Sequence, residues 1–162
     1  MARSDSEARI TLSVLDRLTD SEPRRPADPP PSRMRSLREL KQAVRRDLEW
    51  LLNSRRSILP LSADLEQTAR SVATYGLPDF SAASVSNPSD RASILKTLER
   101  TIAQFEPRLR SVSIALETGG TIKHSLRFRI DAELDVDPAP EQVSFDTTLQ
   151  LFSGEYDVKE EE

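Results

Sequence analysis

From Leu37 to Leu52 the apolar residues of this chain recur at helical spacing: Leu37, Leu40, Val44, Leu48, Leu51 and Leu52 fall on one face. Ser36-Leu37-Arg38-Glu39 precedes that stripe as a capping box, in which serine and glutamate each meet an exposed backbone donor, so a helix is predicted to begin there. Asn53-Ser54-Arg55-Arg56 ends it and Pro60 marks a turn. A second helical segment is predicted from about Ser62 to Tyr75, with Leu61, Leu65, Ala69 and Val72 on one side. Gly76 then supplies the left-handed residue that closes a helix, and Pro78 lies beyond it. Residues 77 to 88 read as a loop. Asn87-Pro88 reads as a cap followed by a first-turn proline, and Ile94, Leu95, Leu98, Ile102 and Phe105 form the third stripe.

At Phe105-Glu106-Pro107-Arg108-Leu109 the period changes from helical to alternating. Pro107 cannot continue a helix, because it has no backbone N–H and its ring clashes with the preceding turn. Beyond it Val112, Ile114 and Leu116 alternate with Ser111, Ser113 and Ala115. A two-residue Gly-Gly turn would set Leu116 against Lys123, mixing apolar and charged side chains on one face. The prediction is therefore a three-residue loop, Gly119 to Thr121, with a glycine at positive φ, pairing Ile114 with Leu126 and Val112 with Phe128. The second strand places Leu126, Phe128, Ile130, Leu134 and Val136 on one face and Arg127, Arg129, Asp131, Glu133 and Asp135 on the other. The third places Val143, Phe145, Leu149 and Leu151 inward. The loop Asp137 to Gln142 sets Val136 against Val143 and Leu134 against Phe145. Tyr156 and Val158 extend the last strand. The fold class is α+β, three to four helices packed on one face of a small antiparallel β-meander.

Near the start, Val14, Leu15 and Leu18 form an amphipathic helical turn too short to hold itself in water. Between Ser21 and Arg35 the prolines 23, 26, 29, 30 and 31 favour extended chain, and the composition favours a disordered arm over a tethered docking peptide. The organisation read from this is an arm over 1–35, one domain over 36–159 and an acidic tail over 160–162.

The 162 residues carry a net charge of -4, but bases dominate between Arg33 and Arg56 and acids from Asp131 onward. Opposite poles suit a subunit that docks in one orientation. Cysteine is absent, which excludes disulfides and thiolate chemistry, and His124 is the only imidazole, which leaves no multi-histidine metal site and no Ser-His pair of ordinary type. No phosphate-cradling glycine motif occurs, so neither a cofactor nor a metal is expected. The basic helix face of Arg38, Lys41 and Arg45 has no interleaved aromatics, so nucleic acid is not expected. No apolar run approaches the roughly 18 residues of a membrane span, and the first residues lack the apolar core of a signal peptide; a cytoplasmic location is expected. Most carboxylates fall on the wet strand face or in the tail. Glu106 and Arg108 are the exception, two opposed ions around Pro107 in an otherwise apolar corner. Either they pair within the chain, or they contact another one.

Five segments occur in order along the chain: Leu15-Asp16-Arg17-Leu18-Thr19-Asp20, Arg46-Asp47-Leu48-Glu49-Trp50-Leu51-Leu52-Asn53-Ser54-Arg55, Tyr75-Gly76-Leu77-Pro78-Asp79, Phe105-Glu106-Pro107-Arg108-Leu109 and Val143-Ser144-Phe145-Asp146-Thr147. Together they resemble the TssE baseplate subunits of type VI secretion systems, a family related to the contractile-phage baseplate wedge proteins once labelled lysozyme-like. The resemblance implies helices on one side of a small antiparallel sheet and a role in assembly. It implies that Glu106, Pro107 and Arg108 engage the wedge proteins TssF and TssG, and that the sheet templates the first ring of TssB-TssC sheath subunits. It does not explain the proline-arginine arm. The inherited label keeps a peptidoglycan glycosidase as an alternative, which needs a cleft with two carboxylates ~5 to 9.5 Å apart. A regulatory binding module is the third reading, since a fold alone does not fix function.

Overall fold

The computed structural model describes residues 13–19, 33–57, 62, 64–80, 83–84, 87–116, 125–150 and 155–160. The first helical turn is α1, Val14–Leu18, capped by Ser13, whose hydroxyl accepts from the Asp16 N–H. The longest apolar stripe forms α2, Arg33–Asn53, which buries Leu40, Val44, Leu48, Leu51 and Leu52. Each fully buried leucine contributes about 2 kcal/mol relative to exposure. The helix starts three residues before Ser36, which is itself buried inside the first turn, so the predicted capping box is not used. Glu39 instead pairs with Arg35 one turn back at 2.8 Å.

The segment predicted as one helix from Ser62 to Tyr75 is broken into α3, Glu66–Ala69, and a 3-10 turn, Val72–Thr74. Its apolar residues are too sparse to anchor a full helix: Leu65 and Val72 are exposed. Ser71 restarts the chain by accepting from the Ala73 N–H. Gly76 does take the left-handed conformation, at φ 100°. It must also be small, since a Cβ there would stand 2.4 Å from the Ser54 carbonyl oxygen. That close approach lets Leu77 donate to the Ser54 carbonyl and Arg56 donate to the Leu77 carbonyl, both at 2.8 Å, pinning this segment to the end of α2. Helix α4, Pro88–Phe105, begins as predicted, with Asn87 capping Ser89 N–H and proline in the first turn, and buries Ile94, Leu98 and Ile102.

Four antiparallel strands follow in meander order: β1, Leu109–Leu116; β2, Ser125–Leu134; β3, Glu141–Gln150; and β4, Tyr156–Glu160. Tyr156 and Val158 thus do not extend β3 but turn back beside it, and Glu160, assigned to the tail from sequence, closes β4. The expected faces hold: Phe128, Ile130, Leu134, Val143, Phe145 and Leu149 are all buried. The register does not. Ile114 faces Ile130 rather than Leu126, and Phe145 faces Ile130 rather than Leu134, each displaced by four residues. A period of two separates odd shifts from even ones but cannot tell one even shift from another. The β2–β3 loop is six residues long as expected, but it comprises Asp135 to Pro140. In β1 the register slips between Arg110 and Ser113, where Ser111 sits at φ 52° in a β-bulge. The Gly119–Thr121 loop, His124, Leu151, the proline-rich segment and Glu161-Glu162 lie outside the described residues.

Helix α2 packs on β4, α4 packs on β1, and the two helices touch each other over the dry face of the sheet. The opposite face is stitched by cross-strand polar pairs. Arg129 meets Asp146 at 3.2 Å and the Ser144 hydroxyl donates to Asp131 at 2.6 Å.

Candidate functional site

Helix α4 ends because Pro107 stops it, and Glu106 becomes the C-cap, its N–H donating to the Ile102 carbonyl at 2.8 Å. The chain is turned there by the Leu109 N–H donating back to the Glu106 carbonyl, while the Arg108 carbonyl accepts from Asp135 at 2.8 Å. The corner is thereby locked between the end of α4 and the end of β2. Glu106 is 4% exposed, Pro107 is exposed and the Arg108 side chain is 26% exposed.

Arg108 wraps back onto Glu106. Its Nε donates to Oε1 at 2.6 Å, its Nη2 donates to Oε2, and its backbone N–H reaches Oε1 at 3.3 Å. This is a forked guanidinium–carboxylate pair, the arrangement in which arginine binds most directionally. The same Nη2 donates to Asp47 Oδ2 of α2 at 2.6 Å. Held chiefly by the Glu106 hydrogen bonds, with burial opposing and Asp47 adding to them, the guanidinium is driven far above its ordinary value and is charged at any pH the fold survives.

The chain of ions continues along α2. Asp47 Oδ1 accepts from Arg46 at 3.1 and 3.3 Å, and Arg46 Nη2 donates to Asp16 of α1 at 2.8 Å. Asp16 in turn accepts from the Ser13 hydroxyl. Arg46 also lies 5.2 Å from the ring centre of Trp50, which is half exposed. Burial pushes the Asp16 carboxyl up, but the hydrogen bonds from Ser13 and Arg46, with the positive charges of Arg46 and Arg108, outweigh it and hold Asp16 below its ordinary value. On the other side Tyr75 stacks edge-on against Phe105 at 5.4 Å. Its phenol is raised by burial first, then by the negative charges of Asp47 and Glu106.

Of the residues singled out in the sequence, Glu106 and Arg108 pair within the chain, and Pro107 forms the exposed tip between them. Asp47, Arg46 and Asp16 stand inside the segments that carry the resemblance but were given no role of their own there, although one signal existed. Asp47 stands three residues after Val44 and four before Leu51, on the flank of the apolar stripe, where an unpaired acid is costly. Among the described residues no group of acids and histidine is arranged to hold a metal ion, and no helix is long and apolar enough to cross a membrane.

Helices on one face of a four-stranded antiparallel meander, joined to it by a charged Glu-Pro-Arg corner, define a small α+β fold. The family model of baseplate wedge protein gp25 matches residues 38–139, from α2 to the β2–β3 loop and including the whole corner, and the chain belongs to this family of structural baseplate proteins, with the TssE subunits of type VI secretion. No curated protein and no solved structure matches the chain.

Proposed function

We propose that this protein is the baseplate subunit that links the TssF-TssG wedge to the contractile TssB-TssC sheath and helps nucleate sheath assembly, in the cytoplasm and without catalysing a reaction. The observation that supports this best is the state of Arg108: clamped by Glu106 and Asp47, yet a quarter exposed beside the exposed Pro107. A guanidinium already fixed in direction gives up little freedom on meeting a partner carboxylate or carbonyl. In this reading Pro107 and Arg108 touch the wedge, and Glu106 aims Arg108 from inside. The two carboxylates at the corner, Glu106 and Asp47, both accept from Arg108.

The test is a pull-down of TssF-TssG with Arg108→Lys and Arg108→Gln, each of which keeps a donor toward the buried Glu106 while removing the guanidinium fork. Both variants are expected to lose the wedge while retaining a cooperative melt; undiminished capture would remove the corner as a contact. Charge reversal at Glu106 is a poor test, because that side chain is buried and its reversal disturbs the fold itself. Purified protein is expected to leave peptidoglycan intact.

A further inference from the structure

Arg46 and Asp47 are consecutive residues of α2, and side chains one position apart on a helix point about 100° away from each other and do not ordinarily meet. Arg46 nevertheless reaches sideways to Asp47 Oδ1, with Nη2 at 3.1 Å and Nε at 3.3 Å. The acid that the helix sets beside Arg46 is Glu49, three positions on, and among the described residues its carboxylate accepts no hydrogen bond. What draws Arg46 away from Glu49 is α1: Asp16 Oδ1 accepts from that same Nη2 at 2.8 Å, while the guanidinium lies against the Trp50 ring. Burial does little to hold α1 in place, since its apolar residues Val14, Leu15 and Leu18 are each more than half exposed. Its attachment to α2 therefore turns on Asp16.

At the other end of the ion chain, Arg108 gives Nε to Glu106 Oε1 and gives Nη2 to both Glu106 Oε2 and Asp47 Oδ2. Its second terminal nitrogen, Nη1, has no partner among the described residues, so two N–H donors remain for a visitor. Asp47 meets Arg108 with one oxygen because its other oxygen is taken by Arg46. A carboxylate with both oxygens at liberty grips a guanidinium by two parallel bonds, and here the second of them would fall on Nη1.

Resting on the contact between Arg108 and the wedge proposed above, we infer that Asp16 and Arg46 are positioning residues for that contact, and that α1 is a strap whose docking keeps Arg108 open. While Asp16 holds Arg46, Arg46 holds Asp47 Oδ1, and Nη1 of Arg108 is left for a carboxylate or carbonyl of the wedge. When α1 lets go, Arg46 turns to Glu49, Asp47 Oδ1 swings onto Nη1, and the donors that the wedge would use are occupied within the chain.

A titration of the full chain with TssF-TssG tests this as a double-mutant cycle over Asp16→Asn and Asp47→Asn. In the otherwise native chain, Asp16→Asn is expected to weaken wedge binding about tenfold, the size of one lost charge-assisted hydrogen bond. In the Asp47→Asn chain, whose side chain has one acceptor oxygen instead of two, adding Asp16→Asn is expected to change binding by less than about twofold. Binding that Asp16→Asn leaves unchanged or tightens, whether or not amide exchange shows α1 released, overturns the strap. An equal loss in both backgrounds overturns it too, because α1 would then touch the wedge directly. Arg108→Gln in the same titration reports on the corner itself. If that variant binds undiminished, the corner contact fails and the strap falls with it; if it loses the wedge while Asp16→Asn does not, the strap alone fails.

Discussion

Arg108 and Asp47 stand 61 residues apart in the chain and meet at 2.6 Å. The contact joins the corner to the middle of α2, so the tip that ends α4 is braced by a helix on which it does not sit. Asp47 also accepts from Arg46, which makes it the hinge between the corner and the docked first turn.

The first expectation concerns Glu106. Replacing it by alanine removes the buried half of the ion pair and leaves Arg108 with Asp47 alone. A loss of about 3 kcal/mol in urea unfolding is expected, the lower end for breaking a buried pair. A loss under about 1 kcal/mol would place the pair among ordinary surface contacts.

A second concerns pH. Asp16 is held below its ordinary value in the fold, so its contribution is fully present above the unfolded value of about 3.9 and is lost as pH falls through the lower folded value. Amide exchange in α1, taken relative to its intrinsic rate at each pH, should therefore accelerate on acidification below about pH 4. In Asp16→Asn it should already be fast at neutral pH, with the global melt little changed. Equal protection of α1 in the two proteins would show that Arg46 does not hold it.

Asn53, the last residue of α2, donates from its amide to the Tyr156 carbonyl at 2.9 Å and accepts from the Tyr156 N–H at 2.8 Å, and Asn53→Ala frees both groups on the rim of β4. About 1 to 2 kcal/mol of stability should be lost, and the bared rim should promote edge-to-edge self-association, seen as concentration-dependent sedimentation. A monomer at every concentration would argue that Arg45, which donates to the Val158 carbonyl at 3.4 Å, and the edge charges suffice without Asn53.

Gly76→Ala puts a methyl against the Ser54 carbonyl at a backbone angle that alanine rarely adopts. A loss of about 2 kcal/mol or more is expected in thermal or urea unfolding. Tolerance of alanine would mean that the α2 end and the Tyr75–Leu77 segment can separate freely.

Strand faces and the α4 cap were legible because local period and local chemistry decide them, as at Asn87-Pro88 and along Phe128, Ile130 and Leu134. Register was not, because both hairpins keep their faces when slid by four, and the true position depends on the bulge and on how α2 and α4 seat the sheet. The Glu106–Arg108 pair could be read from a spacing of two. Its third member, Asp47, arrives only when the sheet folds under α2. Ser36 shows the reverse case: a sequence fit for a cap is taken into the first turn of a helix that starts three residues earlier.

The extra residue in β1 sets two segments of chain out of phase. Before it the odd-numbered Leu109 is buried, and after it the even-numbered Ile114. Deleting a single residue at Ser111 or Val112 would rotate everything upstream by half a turn, swinging Arg108 toward the hydrocarbon interior and Leu109 into water. The orientation of the corner is thus set by chain count as firmly as by charge, and variation in loop length should be tolerated almost anywhere sooner than here.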